Sequence, residues 1–227
     1  MTFPALSDRL ARVRHAIRDG QQAGGWTHPV RIVAVTKTHG PDAVRAAIAA
    51  GLDAVGENRV QEALDKQEAL ADETIEWHLI GSLQRNKARH AAGRFALIHS
   101  IDRADLAAEL DRRTPDGVMQ AVLVQVNCSG ETQKGGVEPA GLLELLEAIR
   151  PLSRIAVRGL MTMAAFDAGA DVQRATFGRL RDLRDDAAAH GHVLPELSMG
   201  MSGDYAMAVE QGATIVRLGT ALFGGRA

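Results

Sequence analysis

The sequence predicts a single-domain α/β protein over residues 1–227, a (β/α)8 TIM barrel with an extra N-terminal helix. Two observations carry that prediction. Eight short apolar runs alternate with helix-patterned stretches, and several runs are apolar on both faces, as strands of a helix-covered parallel sheet are. Eight β/α units in 227 residues also fill one domain near the lower size limit of such a barrel. A doubly wound open sheet is the alternative assembly of the same units. No linker, composition shift or low-complexity segment divides the chain.

The extra helix comes first. Leu6, Leu10, Val13 and Ile17 recur at helical spacing, with Ser7 or Asp8 as the expected cap, and Gly20, Gly24 and Gly25 break the pattern. The predicted strands follow at Arg31–Thr36, Asp53–Glu57, Trp77–Gly81, Leu97–Ile101, Ala121–Val126, Ala156–Met163, Glu196–Met199 and Thr214–Gly219. Between them lie helical patterns such as PDAVRAAIAAG, EPAGLLELLEAIR and VQRATFGRLRDLRDDAAAH.

Charge narrows the function. With 26 basic and 28 acidic residues the net charge is -2, which leaves no electrostatic footprint for nucleic acid or an anionic membrane surface. No window reaches the apolar length of a membrane span, and MTFPALSDRL lacks the apolar core of a signal peptide. Cys128 is the one cysteine, so no internal disulfide framework exists. These features predict a cytoplasmic protein, and a monomer is expected.

Lys37 is the first candidate site residue. Val33, Val35 and Lys37 share one strand face by the period of two, and Lys37 is the last of them, at the C-terminal mouth where barrels place their chemistry. Desolvation there favours the neutral, nucleophilic form of an amine, as a Schiff-base lysine needs. The plainer reading is a strand-end lysine that reaches water.

The last two strands favour chemistry. LSMGMSGDY ends the seventh with Ser202 and Gly203, and IVRLGTALF ends the eighth with Gly219 and Thr220; each run then opens a helix. Barrels seat phosphate at this place, with close backbone approach at glycines, donation from hydroxyls, and N–H groups of Gly203 and of Gly219 or Ala221. Plain helix capping is the competing role for Ser and Thr. Arg217 alternates with Val216 and Leu218 and so points inward, toward a structural ion pair or a cofactor ring nitrogen. An amine, a phosphate seat and an inward arginine together match the aldehyde, phosphate and pyridine nitrogen of pyridoxal 5′-phosphate.

The motifs AVTKTH (Ala34–His39), GENRVQEALDK (Gly56–Lys66), WHLIGSLQRNKAR (Trp77–Arg89), GLMTM (Gly159–Met163) and LSMGMSGDYAMAVEQGATIVRLGTALFG (Leu197–Gly224) cover nearly the whole chain. The sequence resembles the pyridoxal phosphate homeostasis proteins, also described as proline-synthetase co-transcribed or alanine-racemase N-terminal-domain-like. The resemblance implies a single-domain barrel holding pyridoxal phosphate as an internal aldimine on Lys37. It implies that Ser202, Gly219 and Thr220 hold the phosphate, that Arg217 faces the pyridine nitrogen and that Asn58 lines the site near the ring. Many relatives carry a tyrosine after GEN, where this chain has Arg59.

The expected role is binding and intracellular homeostasis of the cofactor, with pyridoxal phosphate enzymes as acceptors and no catalytic residue assigned. Alanine racemases use a second base, a tyrosine from a C-terminal domain that a chain ending at Ala227 is expected to lack; the only tyrosine here is Tyr205. An arginine against the ring nitrogen also keeps it unprotonated and weakens the ring as an electron sink. A weak amino-acid racemase is the alternative, and a cofactor-free class I aldolase on Lys37 is a third reading.

The remaining candidates have plainer readings. Arg85, Lys87, Arg89 and His90 read as a solvated helix face. Asn127–Val137 reads as a mobile mouth loop in which Lys134 stands as a second acceptor amine. Cys128 is expected to pack rather than react. His39 and His78 lack metal-ligand spacing, so no metal is expected.

Overall fold

In the computed structural model, which describes residues 3–131, 135–165 and 168–225, parallel strands β1 to β8 pair in chain order and β1 closes on β8. The strands are β1 (Arg31–Val35), β2 (Ala54–Glu57), β3 (Glu76–Leu79), β4 (Leu97–Ile101), β5 (Gln120–Gln125), β6 (Ile155–Met161), β7 (Glu196–Ser198) and β8 (Ile215–Leu218). The helices are α1 (Leu6–Gly24), α2 (Pro41–Ala49), α3 (Val60–Ala69), α4 (Ala88–Ala91), α5 (Ala104–Arg113), α6 (Leu142–Ile149), α7 (Ala170–Ala189), α8 (Tyr205–Glu210) and α9 (Thr220–Phe223). The predicted (β/α)8 barrel is therefore the fold, with α1 as the added helix. Each predicted strand is found, β4 with the predicted ends and the others with ends within two residues of the prediction.

Strand alternation builds two apolar layers. Ile32 and Ala34 face outward into the cluster between barrel and helices, while Val33 faces the lumen with Ala54, Leu97, Leu123, Met161 and Ile215. Register makes that layer continuous, because Val33 stands opposite Ala54 on β2 and Arg217 on β8. The lumen is not wholly apolar: His78, His99, Ser198 and Arg217 are also buried.

Helix α1 departs from its predicted ends. It starts at Leu6 with Ala5 in the cap position and no side-chain cap bond, so neither Ser7 nor Asp8 caps it; Asp8 instead lies in the first turn, where a carboxylate suits the helix dipole. The helix also runs through Gly20 to Gly24 and stops at Gly25, whose φ is 72°. Gly24 is a packing residue, since a Cβ there would stand 2.2 Å from the Glu210 carbonyl oxygen at the end of α8.

Among the described residues, no helix is long and apolar enough to cross a membrane.

Candidate functional site

The site is built from the C-terminal ends of neighbouring strands. β1 lies between β8 and β2, so Lys37, Asn58 and the Gly219–Thr220 segment leave adjacent strand ends, with Ser202 arriving from β7.

β1 ends at Val35, and the chain turns at once: the Thr36 carbonyl accepts the His39 N–H at 3.1 Å, and Thr38 takes a left-handed φ of 66°. Such a φ is strained for a β-branched residue and marks a turn held by its surroundings. Lys37 lies in this turn, and it is exposed. The expected desolvation of Lys37 is thus corrected: the buried residue at this strand end is Thr36.

Among the described residues the buried lysine is Lys66, which sequence reasoning missed. It donates to Glu57 Oε1 at 2.6 Å and to the Thr36 carbonyl at 2.9 Å, and Thr36 Oγ1 donates to the same Glu57 oxygen at 2.6 Å. One signal existed: Val60, Ala63 and Lys66 share the buried face of α3, so a lysine stood at an apolar position of a helical pattern.

At the other side of the mouth, the N–H groups of Gly219 and Ala221 both donate to Ser202 Oγ, at 3.2 and 3.0 Å. The hydroxyl oxygen stands where a phosphate oxygen accepts such donors, so two backbone donors from the start of α9 and one side-chain hydroxyl meet at one point. Gly203 and Thr220 are exposed beside them in the chain, and a Cβ on Gly203 would meet nothing within 4 Å. This donor set fits a phosphate group.

Arg217 is 4% exposed. Its Nη1 donates to Ser198 Oγ at 2.6 Å and its Nη2 to the Thr162 carbonyl at 2.9 Å. Burial pulls its pKa down to about 10, opposed by the Asp204 carboxylate, so the guanidinium stays charged at neutral pH.

Asn58 is exposed at the end of β2. It borders a cleft of about 390 Å3 shared with Arg59, Leu83, Lys87 and His90. The basic segment is a 3₁₀ turn, Arg85–Lys87, running into α4 rather than one regular helix, and part of it lines this cleft.

The described ends of the loop after β5 are tied to the strand by hydrogen bonds. Val137 N–H donates to the Gln125 carbonyl at 2.8 Å, Asn127 N–H to the Val137 carbonyl at 2.9 Å, and Gln125 Nε2 to the Gly135 carbonyl at 2.7 Å. Lys134 lies outside the described residues. Cys128 is buried, and burial pushes its thiol up to about 11, which suits packing rather than reaction.

A closed eight-stranded barrel, an amine at the end of β1 and a phosphate-compatible seat after β7 and β8 define a class: barrels that bind a phosphorylated aldehyde cofactor. A family profile described as "Alanine racemase, N-terminal domain" matches residues 9–227. The chain is 45% identical over 222 residues to the "Pyridoxal phosphate homeostasis protein" of Aquifex aeolicus (strain VF5), covering 96% of this chain and 97% of the relative. The solved structure of PipY from Synechococcus elongatus PCC7942 with PLP bound has a TM-score of 0.84 and 38% identity, covering 96% of this chain and 100% of that one. The chain belongs to the alanine racemase N-terminal domain family and, within it, to the pyridoxal phosphate homeostasis proteins. Alanine racemase from Corynebacterium glutamicum shares the fold at a TM-score of 0.74 but only 19% identity, and this chain spans 62% of it.

Proposed function

We propose that this protein binds pyridoxal 5′-phosphate and serves its homeostasis, with Lys37 as the covalent anchor. The observation that carries the reading is the convergence of the Gly219 and Ala221 N–H groups on Ser202 Oγ, one strand away from the Lys37 turn. Bound pyridoxal phosphate supplies an aldehyde, which condenses with a primary amine with loss of water, and an electron-withdrawing pyridine ring. Ser202, Gly219 and Thr220 hold its phosphate, with Gly203 leaving room beside them. Arg217 faces the ring nitrogen, and Asn58 borders the ring. The exposure of Lys37 suits a lysine that must both take and release its cargo. The names of the Aquifex relative and of the PLP-bound PipY structure support the same reading.

Binding is favoured over catalysis. A guanidinium that stays charged donates to the ring nitrogen rather than protonating it, and this weakens the ring as an electron sink. Delivery to acceptor enzymes in a reducing compartment fits the exposed anchor and the single cysteine.

The test is the visible spectrum of purified protein beside Lys37→Ala, before and after borohydride. A yellow band lost on reduction, with the reduced adduct mapped to Lys37, is expected. A protein that stays colourless after incubation with pyridoxal phosphate sinks the reading. Exchange of the α-proton of alanine in deuterated water, at a rate above that of free cofactor, would instead favour the weak racemase.

A further inference from the structure

Four buried polar side chains on four different strands form a hydrogen-bonded column through the barrel lumen. Arg217 Nη1 on β8 donates to Ser198 Oγ on β7 at 2.6 Å. Ser198 Oγ lies 2.9 Å from His99 Nδ1 on β4, and His99 Nε2 lies 2.9 Å from His78 Nδ1 on β3. His78 Nε2 ends the column 3.5 Å from Glu76 Oε2, which also accepts from Arg31 Nη1 at 2.6 Å. That end opens at the N-terminal mouth, where His78, Glu76, Arg31 and Asp53 border a cavity of about 720 Å3. The other end is the arginine that faces the cofactor ring in the reading above, on which this inference rests.

Donor bookkeeping orients the column. The arginine is a donor only, so Ser198 accepts from it and is left with its own O–H to give. Giving that proton to His99 Nδ1 puts the His99 hydrogen on Nε2, directed at His78 Nδ1. The His78 hydrogen then sits on Nε2 and faces the Glu76 carboxylate. The opposite orientation leaves the Ser198 hydrogen without an acceptor in the column and turns a bare nitrogen lone pair toward that carboxylate. Burial keeps both rings neutral, as this ordering requires: His78 falls to about 4 and His99 lies well below its ordinary value. Buried polar groups cost stability unless they are hydrogen-bonded, and the three links from Arg217 to His78 are made, while His78 Nε2 is buried with no hydrogen-bond partner.

We propose that Ser198 and His99 are positioning residues for cofactor binding: they fix the Arg217 guanidinium against the ring nitrogen, and through it they hold that nitrogen unprotonated. Ser198 spans the gap between Arg217 and the histidines, and His99 compels the Ser198 hydroxyl to present its lone pairs to the guanidinium. The Thr162 carbonyl restrains the second amino group and cannot by itself fix both.

The test uses full-length protein loaded with pyridoxal phosphate isotopically labelled at the ring nitrogen, read by NMR, with affinity taken from titration of the visible band. The variants are Ser198→Ala, Ser198→Thr, His99→Leu and His99→Asn. Threonine keeps the hydroxyl, and the asparagine side chain offers an acceptor near the position of Nδ1. Ser198→Ala and His99→Leu are expected to move the nitrogen resonance toward the protonated position and to weaken binding by about tenfold, the scale of a lost hydrogen bond to a charged group. Ser198→Thr and His99→Asn are expected to keep the wild-type resonance. A wild-type resonance in folded, loaded Ser198→Ala overturns the proposal. Should that variant not fold, a wild-type resonance in His99→Leu does so. Wild-type protein that takes up no label sinks the cofactor reading itself, a separate failure seen before any variant is compared.

Discussion

Lys66 on α3 and Glu57 at the end of β2 form a buried ion pair, 2.6 Å from Nζ to Oε1, directly beneath the turn that presents Lys37. The carboxylate is fully buried, and its second oxygen has no hydrogen-bond partner. All the stabilisation of that charge therefore comes through one oxygen, shared by Lys66 and Thr36. The same lysine grips the Thr36 carbonyl, so the pair ties α3 to the strand end from which the anchor departs.

Removing one member of such a pair strands a buried charge, which costs about 3–5 kcal/mol. Lys66→Met should lower unfolding stability on that scale in urea titration, and Lys66→Met with Glu57→Gln should recover most of it. Equal losses in the single and double variants would show that the pair is not what holds the turn.

Ser202 should act through the anion seat. Ser202→Ala removes one donor and leaves the Gly219 and Ala221 N–H groups in place, so cofactor binding should weaken by about tenfold and not vanish. The affinity for inorganic phosphate, measured by its competition with pyridoxal phosphate, should fall in parallel. A Ser202→Ala protein that loses cofactor affinity but keeps phosphate affinity would place the hydroxyl elsewhere.

The lumen histidines predict an acid-sensitive fold. His78 titrates near 6.5 when unfolded and at about 4 when folded, because burial disfavours its charged form. Between those values the unfolded chain binds the extra proton, so stability is full above about pH 6.5 and falls as pH drops toward 4. The slope is roughly 1.4 kcal/mol for each pH unit per titrating group in that window, and His99, which is also depressed, adds to it. Denaturant midpoints from pH 7.5 to 4.5 in wild type and His78→Gln check this: the variant should show the shallower decline, and superimposed profiles would contradict it.

Gly24 sets helix propensity against packing. Alanine in a helix is favoured over glycine by roughly 0.5–1 kcal/mol, but a Cβ at Gly24 would lie 2.2 Å from the Glu210 carbonyl oxygen. Overpacking of that kind costs about 1–3 kcal/mol, so Gly24→Ala should lower Tm. A rise in Tm would mean that α1 can move off α8 freely.

The β/α alternation was legible because it rests on local periods: Val33 faces the lumen while Ile32 and Ala34 face the helices. The glycine-hydroxyl segments after the last two strands were legible by composition, and Lys37 by its place after an apolar run. The cap of α1 was misread because a helix can begin one residue before its best capping side chain when a buried Leu6 sets the phase. The role of Gly24 was hidden for a related reason: a glycine kept for close packing looks in sequence like one that ends a helix.

The sequence by itself determined which segments become strands, which helices cover them, and that an amine and two glycine-hydroxyl loops end strands β1, β7 and β8. Those properties follow from steric periods and turn chemistry within a few residues of each other. Only the closed barrel decided that Lys37 is exposed while Lys66 is buried, that Ser202 Oγ meets N–H groups 17 and 19 residues away, and that residues of β3, β4, β7 and β8 join in one column. Barrel closure sets which strand positions share a level of the lumen, and that relation depends on the register of every pair around the ring rather than on any one segment.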